Sequence, residues 1–213
     1  MCTPTQTTTR HTSTAWTEAR LLINLAIPTV VIELGGTLPP ALTASYIGRH
    51  LGAIYLDGFT LASLTGNLFT LSLLSGLFSA SDTLSPQAFG AGNYKEVGLL
   101  AIRAYIASLL LIIPINILLA VYMKDILIYV GENDKTALLA AQWYRVYMCG
   151  LPFYAFYNVT WKFLSAQEVM TPLIVVLIAT CGIVLPLTLH QLVPRFGFMG
   201  SAYSIFIYQA SQA

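Results

Sequence analysis

Long uncharged apolar runs, separated by short polar segments, make up most of the chain. A helix rises about 1.5 Å per residue, so about 20 apolar residues cross the roughly 30 Å hydrocarbon core of a bilayer. Only helices satisfy their own backbone groups in lipid, and the alternating pattern of strands is missing, so the sequence predicts an all-α membrane protein. It predicts a six-transmembrane-helix bundle with a truncated sixth helix, the spans covering about residues 21–47, 58–81, 100–123, 143–165, 169–190 and 199–213.

The first twenty residues differ from the rest of the chain. Residues 1–20 are rich in threonine, and no apolar run follows a short basic start, so a cleaved secretory signal is not predicted. They carry too little apolar surface to order themselves, which predicts a disordered leader. Lysine and arginine residues are equally divided between the two sides of the predicted spans, five against five, which does not settle the orientation. Arg10 and Arg20 precede the first span whereas Arg49 follows it, which favours a cytoplasmic N-terminus.

Composition narrows the classes of function. Charged residues make up 9% of the 213 residues and the net charge is +1, whereas soluble domains carry about a quarter charged residues. An ordinary cytosolic enzyme and a basic nucleic-acid-binding protein are therefore excluded. The three cysteines and three histidines are isolated from one another, so neither a metal site nor a disulfide framework is predicted. No catalytic grouping is found, and the sequence predicts neither an enzyme nor a cofactor.

Proline residues interrupt several spans. Each removes one backbone hydrogen bond and tends to bend the helix, a feature common in membrane proteins that change shape. Four of the six predicted spans contain them, at Pro39, Pro40, Pro114, Pro152, Pro172 and Pro186.

Glu33 lies near the middle of the first span, where inserting a carboxylate costs about 2.5–3.5 kcal/mol. At helical spacing it shares a small and polar face with Gly36, Thr37 and Pro40. Glu33 and Thr37 are therefore candidates for a substrate or ion pathway, in which Glu33 releases a proton when a cation or water arrives. The alternative is a buried glutamic acid that hydrogen-bonds a neighbouring helix as a packing device.

Polar or aromatic residues also form stripes along one face of the second, fourth and sixth spans. An aromatic stripe that faces a cavity stacks planar solutes or holds cations against its rings, whereas the alternative is plain helix packing or interfacial anchoring. Four helices with polar faces predict a shared water-accessible cleft. The pathway candidates on these three spans are Asn67, Thr70, Tyr154, Tyr157, Asn158 and Tyr208.

Three groups of motifs, in this order and spacing, resemble the MATE family (multidrug and toxic compound extrusion transporters) in its eukaryotic form. Pro28 is followed by IGRHLG at residues 47–52, which is similar to the family's Gly-His-Leu-Gly with one extra residue. The most specific stretch is ASDTLSPQAFGAG at residues 80–92, which resembles the family's signature before its third helix. The third group is KFLSAQ at residues 162–167 with GFMGSA at residues 197–202.

The resemblance covers about residues 20–213 and implies one lobe of a twelve-helix transporter, here residues 21–213. It implies a cation-coupled antiporter, driven by H⁺ or Na⁺, that exports organic cations and other xenobiotics by alternating access. It also implies a multi-pass protein of the plasma membrane, the vacuole or another endomembrane, with a cytoplasmic N-terminus. Its partners are then a small-molecule substrate, the coupling ion, the lipid bilayer and a second six-helix lobe, and no nucleic acid.

The family motifs supply a further set of residues with expected structural roles. Asp82 is expected to bind free backbone groups at a helix end, and Gly90 to adopt an unusual φ in a cytoplasmic loop at residues 82–92. Arg103 and Lys162 are expected to pair with Asp82 or with lipid phosphates. The full set consists of Asp82, Thr83, Gln87, Gly90, Arg103 and Gln167.

A second hypothesis belongs to a different class. A truncated half-transporter acts in this case as a non-transporting structural or partner subunit in the membrane. A half-transporter has to pair with another copy to enclose a cleft, because substrate sites of such transporters lie between two repeats. The two hypotheses share the fold and differ in whether the chain moves a solute.

Overall fold

The computed structural model describes residues 15–213, without the side chains of residues 15, 17, 18, 21, 22, 24, 25 and 28. The described residues form helices and no strand, which confirms the all-α prediction. Apart from one or two terminal residues, each predicted span lies within one helix. The helices are α1 (Ala15–His50), α2 (Ala53–Gly90), α3 (Tyr94–Val130), α4 (Asp134–Ala166), α5 (Thr171–Phe196) and α6 (Phe198–Gln212).

The helices extend beyond the apolar runs that predicted them. Helix α1 has 36 residues and is therefore about 54 Å long, well over the thickness of the hydrocarbon core. Residues 15–20, which the sequence placed in the leader, belong to α1, and residues 1–14 lie outside the described residues. Hydropathy indicates only the apolar part of a helix, so a prediction based on it omits the polar helix ends.

Within the described residues, three helices are long and apolar enough to cross a membrane: α2, α3 and α5. Their outer faces are apolar as well. Leu110 of α3 is 73% exposed, Ile183 of α5 66% and Leu68 of α2 65%. A water-soluble monomer rarely exposes so large an apolar surface. The number of crossings made by the other helices stays a prediction.

Two of the helices contain a wide π-helical turn. In α2 the turn covers Asn67–Leu71, and both the backbone N–H and the hydroxyl of Ser72 donate to the carbonyl of Asn67. In α5 the turn covers Thr180–Val184. Pro186 follows this second turn and has no N–H to donate to the carbonyl of Gly182, so a regular ladder is broken there. The chain absorbs the interruption by widening one turn.

Helix α4 lies at the centre of the structure and packs against α2, α3 and α6. Trp143 and Tyr144 of α4 are 1% and 0% exposed, so its middle is the core of the bundle. Helix α1 lies at an edge, in contact with α2 and α5. This arrangement leaves a space bounded by α1 on one side and by α4 on the other.

The connections between helices are short, from one to four residues. Asn93 caps α3 by accepting a hydrogen bond from the backbone N–H of Glu96, and Asn133 caps α4 in the same way through Lys135. Gly131 has a φ of 105° and ends α3 in the left-handed conformation that glycine adopts without strain. Among successive helices, α1 packs against α2, α2 against α3, α3 against α4, and α5 against α6.

Candidate functional site

A cavity of about 290 Å³ lies between α1, α2, α4, α5 and α6. The structure places seven of the eight pathway candidates on its wall. These seven are Glu33, Thr37, Asn67, Tyr154, Tyr157, Asn158 and Tyr208.

The cavity wall is aromatic and carries one acid. Glu33 is the one carboxylate among the described residues that line it, and no lysine, arginine or histidine is found there. Such a wall combines ring faces, which attract cations, with a single negative charge. Seven aromatic side chains contribute to it, namely Phe59, Trp143, Tyr147, Tyr154, Tyr157, Trp161 and Tyr208.

Helix α1 provides the polar, open side of the cavity. Glu33, Gly36 and Thr37 are exposed, and the hydroxyl of Thr37 donates to the carbonyl of Leu34 at 2.7 Å. Glu33 lines the same cavity as Tyr154 and Tyr157 of α4. The predicted face of α1 therefore points toward the aromatic stripe of α4.

The aromatic stripe of α4 forms the opposite wall. The rings of Trp143 and Tyr147 are stacked, with centroids 5.2 Å apart, and Phe59 of α2 meets Trp143 edge-on at 5.1 Å. Two to three turns further along α4, the amide of Asn158 donates to the carbonyl of Tyr154 at 2.9 Å, which fixes the amide against its own helix. The stripe thus lines the cavity and also packs against neighbouring helices. The cavity-facing interpretation and the packing interpretation each describe part of it.

Helix α6 contributes two glutamines that the candidate set lacks. Gln212 donates to the phenol of Tyr208 at 2.8 Å, and Gln209 is 4% exposed. The predicted stripe of α6 also includes Ser201 and Ser204, but these serines face α4 and other core residues. Ser201, for example, accepts a hydrogen bond from the indole of Trp143 at 3.0 Å. The sequence signal that could have identified Gln209 is a polar glutamine within an apolar run.

Three buried polar atoms of the cavity wall have no hydrogen-bond partner among the described residues. They are the hydroxyl of Tyr157, the indole Nε1 of Trp161 and the side-chain oxygen of Gln209. Buried polar atoms in proteins nearly always have a partner, which in a polar cavity is water or a ligand. These three atoms are therefore the buried positions of the wall with unused hydrogen-bonding capacity.

Thr70 does not line the cavity, whereas Asn67, the other candidate on this helix, does. Ser63, Asn67 and Leu71 line it, at steps of four residues. The π turn at Asn67–Leu71 is wider than a regular turn, so Leu71 takes the position on the cavity side that regular spacing assigns to Thr70. The prediction that Thr70 shares this face is wrong for that reason.

Thr70 belongs instead to a buried polar cluster that joins three helices. Its hydroxyl donates to the side-chain oxygen of Asn116 on α3 at 2.8 Å, and the phenol of Tyr144 on α4 donates to the same oxygen. The amide nitrogen of Asn116 donates to the carbonyl of Ile112 at 2.7 Å. All three side chains are nearly fully buried, so the cluster fixes the relative position of α2, α3 and α4.

The motif residues of α2 are helical and do not form the expected loop. Asp82 lies inside the helix, which continues to Gly90, and it does not cap a helix end. Its carboxylate pairs with Lys162 of α4, the Nζ–Oδ1 distance being 2.8 Å. The expected pairing of Lys162 is therefore observed. Arg103 instead pairs with Glu96, about two turns earlier on its own helix, at 3.4 Å, and not with Asp82; its expected contact with lipid phosphates stays a prediction.

The positive φ lies two residues beyond the predicted position. Gly92 has a φ of 74° in the turn after α2, whereas Gly90 is the last helical residue and has no positive φ. The remaining motif side chains bind their own helices or solvent: the hydroxyl of Thr83 donates to Ala80, the amide of Gln167 donates to Phe163, and Gln87 is exposed. None of these motif residues lines the cavity.

Comparison with known proteins identifies relatives of this chain. The family model described as MatE matches residues 28–189. Multidrug and toxin extrusion protein 1 of Rattus norvegicus is 32% identical over 199 residues, which are 92% of this chain and 34% of that protein. An uncharacterized transporter of Schizosaccharomyces pombe is 32% identical over 198 residues, 89% of this chain and 35% of its own length.

Solved structures share the fold. The crystal structure of the eukaryotic MATE transporter AtDTX14 matches with a TM-score of 0.85 and 25% identity, over 92% of this chain and 43% of that chain. An outward-facing multidrug resistance MATE transporter matches with a TM-score of 0.79 at 19% identity, over 90% and 42%. The chain thus spans about a third of the length of the curated relatives it matches.

Proposed function

Because the chain belongs to the MATE family, as its motifs predicted, we propose that it forms one lobe of a transporter that exports organic cations. Members of the family are transporters and not enzymes, and the apolar helices make this an integral membrane protein. The substrate, the driving ion and the transport cycle of the whole protein belong to this proposal.

The cavity wall supports an organic cation as the substrate. Seven aromatic rings and a single carboxylate surround a volume of about 290 Å³, and no basic side chain among the described lining residues opposes a cation. A cation over a ring face gains about 0.5–2 kcal/mol, and more than one ring is available here. The mixed wall of rings and a few polar groups also fits an amphipathic solute.

Glu33 is proposed as the group that couples transport to an ion. Its side chain is exposed on the open side of the cavity and is not enclosed between packed helices, which favours the pathway role over the packing role. A carboxylate at membrane depth binds H⁺ or Na⁺ and also attracts a cationic solute, so the two compete for one site. Competition of this kind is the simplest form of antiport.

Alternating access is proposed to involve a second lobe. The open side of the cavity is formed by α1, at the edge of this lobe, where another six-helix lobe would complete the enclosure. With a cytoplasmic N-terminus, the end of the bundle that contains Asp82 and Lys162 faces the cytoplasm. A motion of the two lobes about the cavity then exposes Glu33 to each side of the membrane in turn.

The test is transport of a fluorescent styryl-pyridinium cation by the full-length protein in proteoliposomes. A gradient of pH and a gradient of Na⁺ are imposed in separate experiments to identify the driving ion. We expect Glu33→Gln to abolish gradient-driven transport, because an amide has no charge to exchange between ion and solute. Glu132→Gln, which makes the same chemical change in the exposed turn after α3, is the matched control.

Each outcome is decisive. Transport under either gradient that is lost in the Glu33 variant and kept in the Glu132 variant supports the whole proposal. Transport that is unchanged in the Glu33 variant removes this residue from the coupling mechanism. A protein that is correctly inserted and moves no organic cation under either gradient overturns the transporter and favours the non-transporting subunit.

A further inference from the structure

Two hydrogen-bond donors of α4 line the cavity without a partner. The hydroxyl of Tyr157 and the indole N–H of Trp161 are buried, and neither has a hydrogen bond among the described residues. They lie four residues apart, so they occupy the same face of the helix about 6 Å apart along its axis. Tyr157 as a whole is 9% exposed, so bulk water does not reach its hydroxyl freely.

The side chains packed around the two donors are aliphatic, and Glu33, the one carboxylate among the described residues of the cavity wall, is bonded to neither donor. Tyr157 packs in a cluster with Ile32 of α1 and with Leu173 and Leu177 of α5, and Trp161 packs against the same cluster. Aliphatic side chains cannot accept a hydrogen bond, and an indole N–H can only donate one. A buried donor that is left unpaired loses its water without compensation. The missing partner is therefore an acceptor atom that enters the cavity.

The indole of Trp161 is held in place from outside the cavity. The Nζ atom of Lys162 lies 4.6 Å from the centroid of the indole ring, and the same Nζ is 2.8 Å from the Asp82 carboxylate. The ion pair joins the ends of α2 and α4, so the ring is fixed between a charged anchor and an apolar cluster. A donor on a fixed ring is preorganised for its acceptor.

We propose that Tyr157 and Trp161 form an acceptor subsite, which binds a neutral carbonyl oxygen of the transported solute. A neutral oxygen is favoured over a carboxylate because Glu33 lines the same cavity and its charge repels a second negative group. The inference rests on the proposed function: the cationic part of the solute lies against the rings and Glu33, and the carbonyl meets the two donors. Solutes that carry both groups bind more tightly than simple organic cations.

The test uses two matched probes, the N-methylpyridinium cations that carry a para-benzoyl or a para-benzyl group. They share rings and charge, and only the benzoyl probe has an acceptor oxygen. Binding to the full-length protein in lipid nanodiscs is measured by equilibrium dialysis. We expect the wild-type protein to bind the benzoyl probe about tenfold more tightly, the typical effect of one or two buried hydrogen bonds.

Two variants remove the donors and keep the rings. Trp161→Phe and Tyr157→Phe are each expected to reduce the preference for the benzoyl probe severalfold, and the double variant to abolish it. The matched control is Trp16→Phe, because this tryptophan of α1 is 84% exposed and does not line the cavity. It is expected to leave the ratio of the two affinities unchanged. Binding of the benzyl probe also shows that each variant is folded.

The outcomes separate this inference from the proposed function. If the wild-type protein binds neither probe, the cation cavity itself is wrong. If it binds both probes equally, water and not the solute satisfies the two donors, and the acceptor subsite is overturned while the cation site stands. A preference that survives in the double variant likewise overturns the assignment of Tyr157 and Trp161.

Discussion

Lys162 and Asp82 form an ion pair across the bundle, with the Nζ atom 2.8 and 2.9 Å from the two carboxylate oxygens. The lysine side chain is 21% exposed, so the pair is shielded from water on one side. By contrast, the pair of Arg103 and Glu96 lies within one helix and is 66% and 40% exposed. The two pairs allow an internal comparison of an interhelical and a local interaction.

We expect Lys162→Met to lower the free energy of unfolding by about 1 kcal/mol, the upper range for pairs that are partly shielded. Arg103→Met is expected to change it by less than about 0.5 kcal/mol, because exposed pairs contribute little. The measurement is thermal unfolding in detergent, followed by the fluorescence of the tryptophans. Exchanging the charges in the double variant Asp82→Lys, Lys162→Asp is expected to recover part of the loss. Equal effects of Lys162→Met and Arg103→Met contradict the prediction.

The polar cluster around Asn116 is expected to be a main source of stability. Replacing Asn116 by Leu removes the acceptor that the hydroxyls of Thr70 and Tyr144 share, and because these hydroxyls lie 3.2 Å apart, only one of them can then donate to the other. Each unpaired buried group costs about 1–3 kcal/mol, so we expect a loss of roughly 3 kcal/mol or failure to fold. The measurement is urea unfolding, or the yield of folded protein where the variant does not survive purification.

A pair of threonine variants tests the same cluster more gently. Thr70→Val removes a hydrogen bond between helices, whereas Thr180→Val removes one that Thr180 makes only to carbonyls of its own helix. Both threonines are buried. We expect a loss of about 1 kcal/mol for Thr70→Val and little change for Thr180→Val, since the helix carbonyl keeps its backbone donor. A larger effect at Thr180 argues against the importance of the cluster.

Close contact between α5 and α6 depends on Gly200. A Cβ atom at this position meets the backbone of Leu192 and Val193, which cannot move aside as a side chain does. We expect Gly200→Ala to destabilise the protein by about 1–3 kcal/mol, the usual cost of overpacking. Gly76→Ala, where a Cβ atom meets no neighbour, is expected to be neutral or slightly stabilising in the same thermal unfolding assay.

The volume next to Glu33 is testable without altering its charge. A Cβ atom at Gly36 meets no neighbour, and the residue lines the cavity. We expect Gly36→Leu to block cation transport by filling the cavity, while the unfolding temperature stays unchanged. Gly76→Leu, which adds the same side chain away from the cavity, serves as the control. Normal transport by a folded Gly36 variant means that the solute takes another route.

The sequence predicted the helices because hydrophobic runs are a strong and local signal. From the sequence, Glu33, Asn67 and Tyr154 were also expected to line one cleft, because helical spacing determines which residues share a face. It did not predict the far ends of the helices, where polar residues such as Asp82 and Gln87 continue the helix without any apolar pattern. Hydropathy responds to lipid, and these ends lie beyond the apolar run.

The misplaced side chains have specific physical causes. Thr70 points away from the cavity because one wide turn shifts the helix register. No residue in α2 allows such a turn to be predicted from the sequence. Arg103 pairs with Glu96 of its own helix and not with Asp82. Gln209 was missed because regular spacing favoured its neighbour Tyr208, although both line the cavity.

The short connections between helices limit how this lobe can deform. With one to four residues between successive helices, there is little slack for one helix to slide past the next. Bending inside a helix is then the easier mode of motion, and it costs least where the backbone ladder is already irregular. Asn67–Leu71 and Thr180–Val184 are such places, and Asn67 of the first lies on the cavity wall. A solute that contacts Asn67 therefore acts directly on the turn at which α2 bends most easily.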